Sequence, residues 1–432
     1  MFSDKAFNYR KPALKHISVY PTQMQTQSLG QLRIRCATEN EIPVSNATIS
    51  ISSPSDPTRV IEELRTDESG ITEPIELPTP PRDYSLAPNE PQPYSEYDLS
   101  IVAEGYETEF VSGVQILPDV VAEQNAQLEV LPLDERLETQ IVIPPHTLYG
   151  EFPPKIPEDE IKPTAESGAI VLNQVVVPEF VIVHDGPPTD ASASNYYVRF
   201  RDYIKNVASS EIYATWPEST LYANVLAILS FTLNRVFTEW YPNQGYNFTI
   251  TSSTAYDHKW SYGRNIYSNI AFVVDSVFNN YLSRPNVKQP ILTQYCDGVR
   301  TSCPGWMTQW GSKDLGDQGL SAIEILRRFY GNDIFINTAV GVAGVPQSWS
   351  GTNLTIGSRG NDVRTIQEQL NRIAQVYTAI PRLTVDGIYG QQTAEAVRSF
   401  QRIFSLPVTG VVDKATWYRI SGIYVAVARL AS

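Results

Sequence analysis

The sequence predicts a multidomain protein with an N-terminal all-β sandwich, a central, mainly helical α+β domain and a separate helical C-terminal domain. Three observations carry this. Residues 31–132 alternate apolar and polar side chains in short runs broken by turn residues. Residues 181–340 change to apolar positions recurring every three and four residues. Residues 352–425 hold a separate set of amphipathic runs around an Asp-Gly turn. The 432 residues suit roughly two to four domains, and 42% hydrophobic content suffices for packed cores.

In chain order, residues 1–30 are polar without a period and suggest an arm, or an edge strand at most. Leu32, Ile34 and Cys36 share one face of a strand, and Ile49 and Ile51 one face of the next. Residues 66–70 end in Gly70 and form a turn, and further strands fall at 74–78, 97–106 and 108–114. Short strands with regular turns describe a sandwich. Residues 133–180 are rich in Pro and Glu. Pro144, Pro145, Pro153, Pro154, Pro157 and Pro163 exclude regular helix, so this stretch is an extended linker or clamp, protease-accessible in part. Helices are expected at 196–210, 217–240, 264–282 and 323–330, with a strand at 246–252. Residues 341–351 are a flexible linker. In 352–425, Val363, Ile366, Leu370 and Ile373 form a helix face, Asp386, Gly387 and Gly390 a tight turn, and Asp413 an N-cap.

The candidate chemistry centres on Glu211, between two helical patterns. Thr215 and Glu218 suggest a capping box for the second helix, with Pro217 in its first turn. A carboxyl beside Tyr213 and Trp216 is desolvated, which raises its pKa and suits a general acid near neutral pH. The alternative is an exposed carboxylate at a helix end. Cys36, Cys296 and Cys303 do not make a disulfide framework. Cys296 and Cys303 are free, or bridged, or join His258 or His184 at zinc; their spacing is looser than a usual zinc ligand pair.

The net charge of −14 argues against nucleic acid as a partner, because a basic footprint is missing. No stretch approaches 18 uninterrupted apolar residues, so no membrane span is expected. The first ten residues lack the apolar segment of a secretory signal, so export by that route is not expected.

Several stretches resemble known families. Ala208, Ser209, Ser210 and Glu211, followed by Trp216, Pro217, Leu221 and Ala223, resemble the opening of the SpoIID-type peptidoglycan lytic transglycosylase domain. Residues 294–298, 303–311, 318–319 and 323–331 are similar to that family's later segment. Taken over most of its length, including residues 177–185 and 253–257, the chain resembles the SleC family of spore cortex-lytic enzymes. Residues 42–70 resemble a transthyretin-like, carboxypeptidase-regulatory-type module. Residues 354–417 resemble the peptidoglycan-binding type 1 domain, which implies a three-helix unit whose surface would present Asp386, Tyr389 and Arg398 to the polymer.

These resemblances imply a peptidoglycan lytic transglycosylase. It would cut the bond between N-acetylmuramic acid and N-acetylglucosamine and leave a 1,6-anhydro end. Glu211 would carry both proton transfers and need no cofactor. Tyr256, Asp257, Tyr295, Asp297 and Gln309 would hydrogen-bond the sugar; each could equally satisfy buried partners. A second carboxylate, Asp257 or Asp297, about 5 Å or 6.5–9.5 Å from Glu211 would instead imply hydrolysis. The resemblance further implies a zymogen made in the mother cell, laid down in the spore cortex or coat, and cut between about residues 125 and 176 by a subtilisin-like Csp protease. Two other classes stay open. One is a zinc amidase or peptidase, although His16 and His146 lie outside the central domain. The other is a non-catalytic structural component of the spore.

Overall fold

The computed structural model describes residues 28–131, 138–162 and 172–428. The expected arm lies outside these residues, apart from Ser28–Gly30, which open the first strand. The N-terminal strands are β1 (Ser28–Ala37), β2 (Thr48–Ser53), β3 (Asp56–Arg65), β4 (Ile75–Thr79), β5 (Ser95–Val102), β6 (Thr108–Ile116), β7 (Val121–Gln127) and β8 (Glu138–Val142). One sheet runs β3-β2-β5-β6-β8, and β7-β1-β4 belong to the other. Leu32, Ile34, Cys36, Ile49 and Ile51 are all buried, as their alternation requires. The Asp67 carboxylate accepts the N–H groups of Ser69 (2.8 Å) and Ile71 (3.1 Å), and Gly70 takes the left-handed conformation that closes the turn.

Three of these eight strands were not expected from the sequence. The polar β3 is an exposed edge, and β7 buries only small or amide side chains (Ala122, Gln124 and Ala126), so neither shows a clear apolar alternation. β8 falls in the stretch expected as linker. Its Ile141, with Ile143 just beyond, is buried, and it pairs in parallel with β6.

The central region contains β9 (Val176–Val177), β10 (Phe180–His184), β11 (Asn195–Arg199), α1 (Phe200–Glu211), α2 (Glu218–Phe237), β12 (Ile250–Thr251), β13 (Ile266–Tyr267), α3 (Ser268–Val277), β14 (Asn280–Ser283), β15 (Tyr295–Cys296), β16 (Met307–Thr308), α4 (Gln309–Asp317), α5 (Ala322–Tyr330), β17 (Phe335–Thr338) and β18 (Gly341–Val342). Helix α2 is the centre, packed by α1, α3, α4, α5 and β14. It is long and apolar enough to cross a membrane, but 89% of its apolar window is buried inside the fold, the mark of a core helix.

The expected helix 196–210 starts later, because Asn195–Arg199 pairs antiparallel with β10. The expected helix 264–282 keeps only its middle, α3, with a strand at each end. β13 pairs antiparallel with β7 through Ile266↔Glu123 and Tyr267↔Ala122, and so becomes the fourth strand of the second sandwich sheet. Beside it, Gln115 and Asn265 exchange two hydrogen bonds (3.1 and 2.9 Å). The helical region is therefore joined to the sandwich through backbone pairing.

At the C-terminal end, α6 (Asn361–Ile373), α7 (Gln391–Ile403) and α8 (Lys414–Ala428) form the expected three helices. Val363, Ile366, Leu370 and Ile373 are fully buried, and Asp413 accepts the N–H of Thr416 at 2.8 Å as an N-cap. The stretch expected as a flexible linker is tied at its start, where β18 pairs with β9.

Candidate active site

Glu211 is the last residue of α1 and is only 3% exposed. It is therefore not a surface carboxylate. The expected capping box that would follow it does not form: α2 begins after Pro217 without a side-chain cap, and the Thr215 hydroxyl bonds Ser85 instead (2.7 Å). The Glu211 carboxyl has two neutral donors. The backbone N–H of Lys259 reaches Oε1 at 2.6 Å, and the Tyr295 hydroxyl donates to Oε2. Gln309, opening α4, donates to the Glu211 backbone carbonyl at 2.8 Å and so fixes the end of α1 against α4. Burial holds the Glu211 pKa above the usual glutamate range, opposed by the nearby Lys155 ammonium and by the Tyr295 and Lys259 hydrogen bonds. The side chain lines a cavity of about 630 Å³, together with Tyr295, Asp297 and Gln309, a volume within the usual range for ligand sites, roughly 300–1,000 Å³.

Three of the five expected sugar contacts therefore meet Glu211 at one cavity. Asp297 is less free than Tyr295. Its carboxylate accepts the N–H groups of Val299, Arg300 and Thr301 and pairs with the Arg300 guanidinium at 3.1 Å, so it serves as the knot of a turn. The other two expected contacts are corrected. Asp257 is fully buried and wholly used inside the fold: it binds Arg235 Nε (2.7 Å), the Tyr241 hydroxyl (2.6 Å), and the Thr251 N–H (2.9 Å) and hydroxyl (2.7 Å). Tyr256 does not line the cavity, and its carbonyl accepts from Arg235. Tyr213 and Trp216 are buried as expected, but they cluster with Trp310 and His146. The ring bonded to the carboxyl is Tyr295.

No local pattern points to Lys155. It lies in the Pro-rich stretch, which supplies Gly150, Glu151, Phe152, Pro153, Pro154 and Lys155 to the cavity wall. The Lys155 ammonium sits 5.2 Å from the Tyr295 ring centre and donates to the Asp257 carbonyl. This strap is fastened on both sides. Arg300 donates to the carbonyls of Thr147, Tyr149 and Gly150 at 2.7–2.8 Å. Gln294 holds Ile156 and Glu158, and Glu158 and Glu160 pair with Arg235 and Arg284. These contacts bridge residues far apart in sequence, which no local pattern announces. The Pro163 end of the stretch lies outside the described residues.

Cys296 and Cys303 are joined as a disulfide with Cα atoms 5.7 Å apart, which rules them out as thiolate ligands here. His258 is buried against Phe231 and Tyr295, with Nδ1 at 3.2 Å from the Tyr203 hydroxyl. His184 stacks on Phe248. No cluster of three or more His, Cys, Asp or Glu suited to a metal occurs among the described residues.

In the C-terminal domain, Tyr389 is fully buried and its hydroxyl donates to the Gly410 carbonyl (2.9 Å), so it is scaffold and not the expected surface contact. Asp386 is exposed but accepts from Gln367 and from the Ile388 N–H, fastening the turn. Arg398 is half-buried and pairs with Glu395 at 3.1 Å.

Residues 359–420 match the family model described as "Putative peptidoglycan binding domain". No curated protein matches the chain. Among solved structures, the SleB N-terminal domain is similar at 32% identity over 17% of this chain and 93% of its own, with a TM-score of 0.15. The Bacillus anthracis TIE protein is 15% identical over 24% of this chain and 17% of its own, with a TM-score of 0.17. GBS52, the minor pilin of Streptococcus agalactiae, is 13% identical over 26% of this chain and 48% of its own, with a TM-score of 0.18. Scores this low carry no argument about the whole chain. The family match covers α6, α7 and the first half of α8, and it supports peptidoglycan as a partner of the C-terminal domain.

Proposed function

We propose that the chain is a peptidoglycan lytic transglycosylase of the SleC type, acting on spore cortex, with Glu211 as its single acid and base. The observation that carries this reading is a buried carboxyl with a raised pKa, held by two neutral donors at the wall of a cavity of about 630 Å³. Protonated, Glu211 donates to the glycosidic oxygen as that bond breaks. The resulting carboxylate then accepts the proton of the muramic 6-hydroxyl as its oxygen closes on the anomeric carbon. The Tyr295 and Lys259 donors stabilise the carboxylate between the two transfers.

One carboxylate suffices for this sequence, and the supply of others favours it over hydrolysis. Asp257 is consumed by Arg235 and Tyr241, and Asp297 by its turn and Arg300. Glu151 also lines the cavity, but it belongs to the strap. The strap that forms one wall of the cavity supports a zymogen: in this reading, cutting or displacing residues 147–162 widens the approach of a glycan strand to Glu211.

The test is mass spectrometry of muropeptides released from purified cortex by the full-length chain, before and after limited proteolysis within residues 133–180. Anhydro-muramic ends from the clipped chain, absent with Glu211→Gln, are the expected result. Reducing ends would mean hydrolysis. No release from either form would sink the enzymatic reading and leave a cell-wall-binding structural protein.

A further inference from the structure

A second cavity, of about 410 Å³, opens where the sandwich meets α1 and α8. One part of its wall is a ladder of three rings. Tyr262 is outermost and 42% exposed; Tyr196 stacks on it with centres 4.9 Å apart; Trp260, 3% exposed, lies 5.3 Å from Tyr196. An exposed ring backed in this way is rigid before any ligand arrives, so little ordering cost attends binding to it.

The same cavity is lined by two polar groups with unmet hydrogen-bonding capacity. Glu109, on β6, is 3% exposed, and its Oε1 has no partner. Burial and the neighbouring Glu107 push its pKa up to about 7. Arg35, on β1, bonds Glu41 and Tyr377 through Nη2, while its buried Nε is unpartnered. Leaving such groups buried and unpaired is costly, so a ligand carrying both donors and acceptors would gain by meeting them. The wall carries as many carboxylates as arginines and the chain is acidic, so no net positive charge marks the cavity for a phosphate polymer. A pyranose fits well. Its apolar face covers an aromatic ring, its hydroxyl or acetamido N–H supplies Glu109, and its oxygens accept from Arg35.

We propose that this cavity is a second glycan-binding site, separate from the Glu211 cavity, which seats an N-acetylhexosamine unit of a glycan strand on Tyr262 with Glu109 and Arg35 as its polar contacts. The site is built jointly by the N-terminal sandwich, the central region and α8. It therefore exists in the uncut chain, where these parts are packed together and give the polymer a contact on a face they share. It needs no catalytic carboxylate and stands or falls apart from the transglycosylase reading.

The experiment is isothermal titration calorimetry of tri-N-acetylchitotriose into the full-length chain carrying Glu211→Gln. Binding is expected, to weaken about tenfold with Tyr262→Ala and to persist with Tyr262→Trp. Glu109→Leu, which keeps the ring ladder, is expected to weaken it severalfold and decides the matter if Tyr262→Ala lowers the thermal midpoint. Absence of binding, or equal affinity in the parent, Tyr262→Ala and Glu109→Leu chains, overturns the proposal. Binding that follows this pattern while clipped chain yields no anhydro ends would leave the glycan site standing and the transglycosylase reading fallen.

Discussion

Glu211 and Asp257 are two buried carboxyls in the same central region, and their surroundings set them to opposite tasks. Asp257 faces a buried guanidinium, a tyrosine hydroxyl and two donors from Thr251, which occupy both oxygens with short bonds. Its charge is matched, and its lone pairs have no room for a substrate. Glu211 has a hydroxyl and one backbone N–H, no bonded cation, and an open cavity in front. Burial without a matched charge favours the proton-bearing form. Burial alone therefore does not mark a reactive carboxyl; what remains unpaired around it does.

The sharpest way to break this comparison is to remove each charge in turn. Glu211→Gln is expected to lower the rate of muropeptide release by about 10²–10⁴-fold, the usual reach of a general acid. The fold should stay within about 1 kcal/mol of the parent, because no paired charge is lost. Asp257→Asn should do the reverse. It leaves Arg235 buried beside a weakened partner and is expected to cost about 3–5 kcal/mol by chemical denaturation. A stable Asp257→Asn chain with abolished lysis would reinstate Asp257 as a sugar contact.

The sequence shows Glu211 more clearly than it shows its setting. The local pattern from Ala208 to Ala223 singles out the residue and its place at a helix junction. It cannot supply Tyr295, Lys259 or the strap, which come from distant parts of the chain. Asp257 misleads for the same reason: its neighbours in sequence suit a sugar contact and a buried partner equally, and only the fold brings Arg235 and Tyr241 to it. Boundaries fail where two periods overlap. Tyr196 to Arg199 continues the apolar spacing of α1, yet its aromatic and branched residues pair with β10. The C-terminal helices are the most legible part, because Val363, Ile366, Leu370 and Ile373 belong to one helix and need no distant partner to be recognised. Even there, Tyr389 looks like a binding side chain until the fold buries it.

A smaller effect sharpens the contrast at Glu211 itself. Tyr295→Phe removes the hydroxyl that stabilises the carboxylate. Release should fall about tenfold, the worth of one hydrogen bond to a charged group. The limb of the pH–rate profile that reports loss of the Glu211 proton should move to higher pH, because the lost bond favoured the charged form. An unmoved limb would mean that another group titrates in that profile.

The smallest effect is on stability against pH, and its sign separates a desolvated carboxyl from a paired one. Glu211 binds its proton more tightly in the fold than in the unfolded chain. Its contribution to stability is therefore full below the ordinary glutamate pKa of about 4.3. It is lost as pH rises through the higher folded value, because the folded state holds more protons across that interval. A carboxylate held by a salt bridge would show the opposite slope. Denaturation midpoints of the parent and Glu211→Gln chains should lie closest at low pH and separate as pH rises, with Glu211→Gln the more stable. Parallel midpoints across that interval would show that the fold does not raise the Glu211 pKa, and the acid role would lose its physical basis.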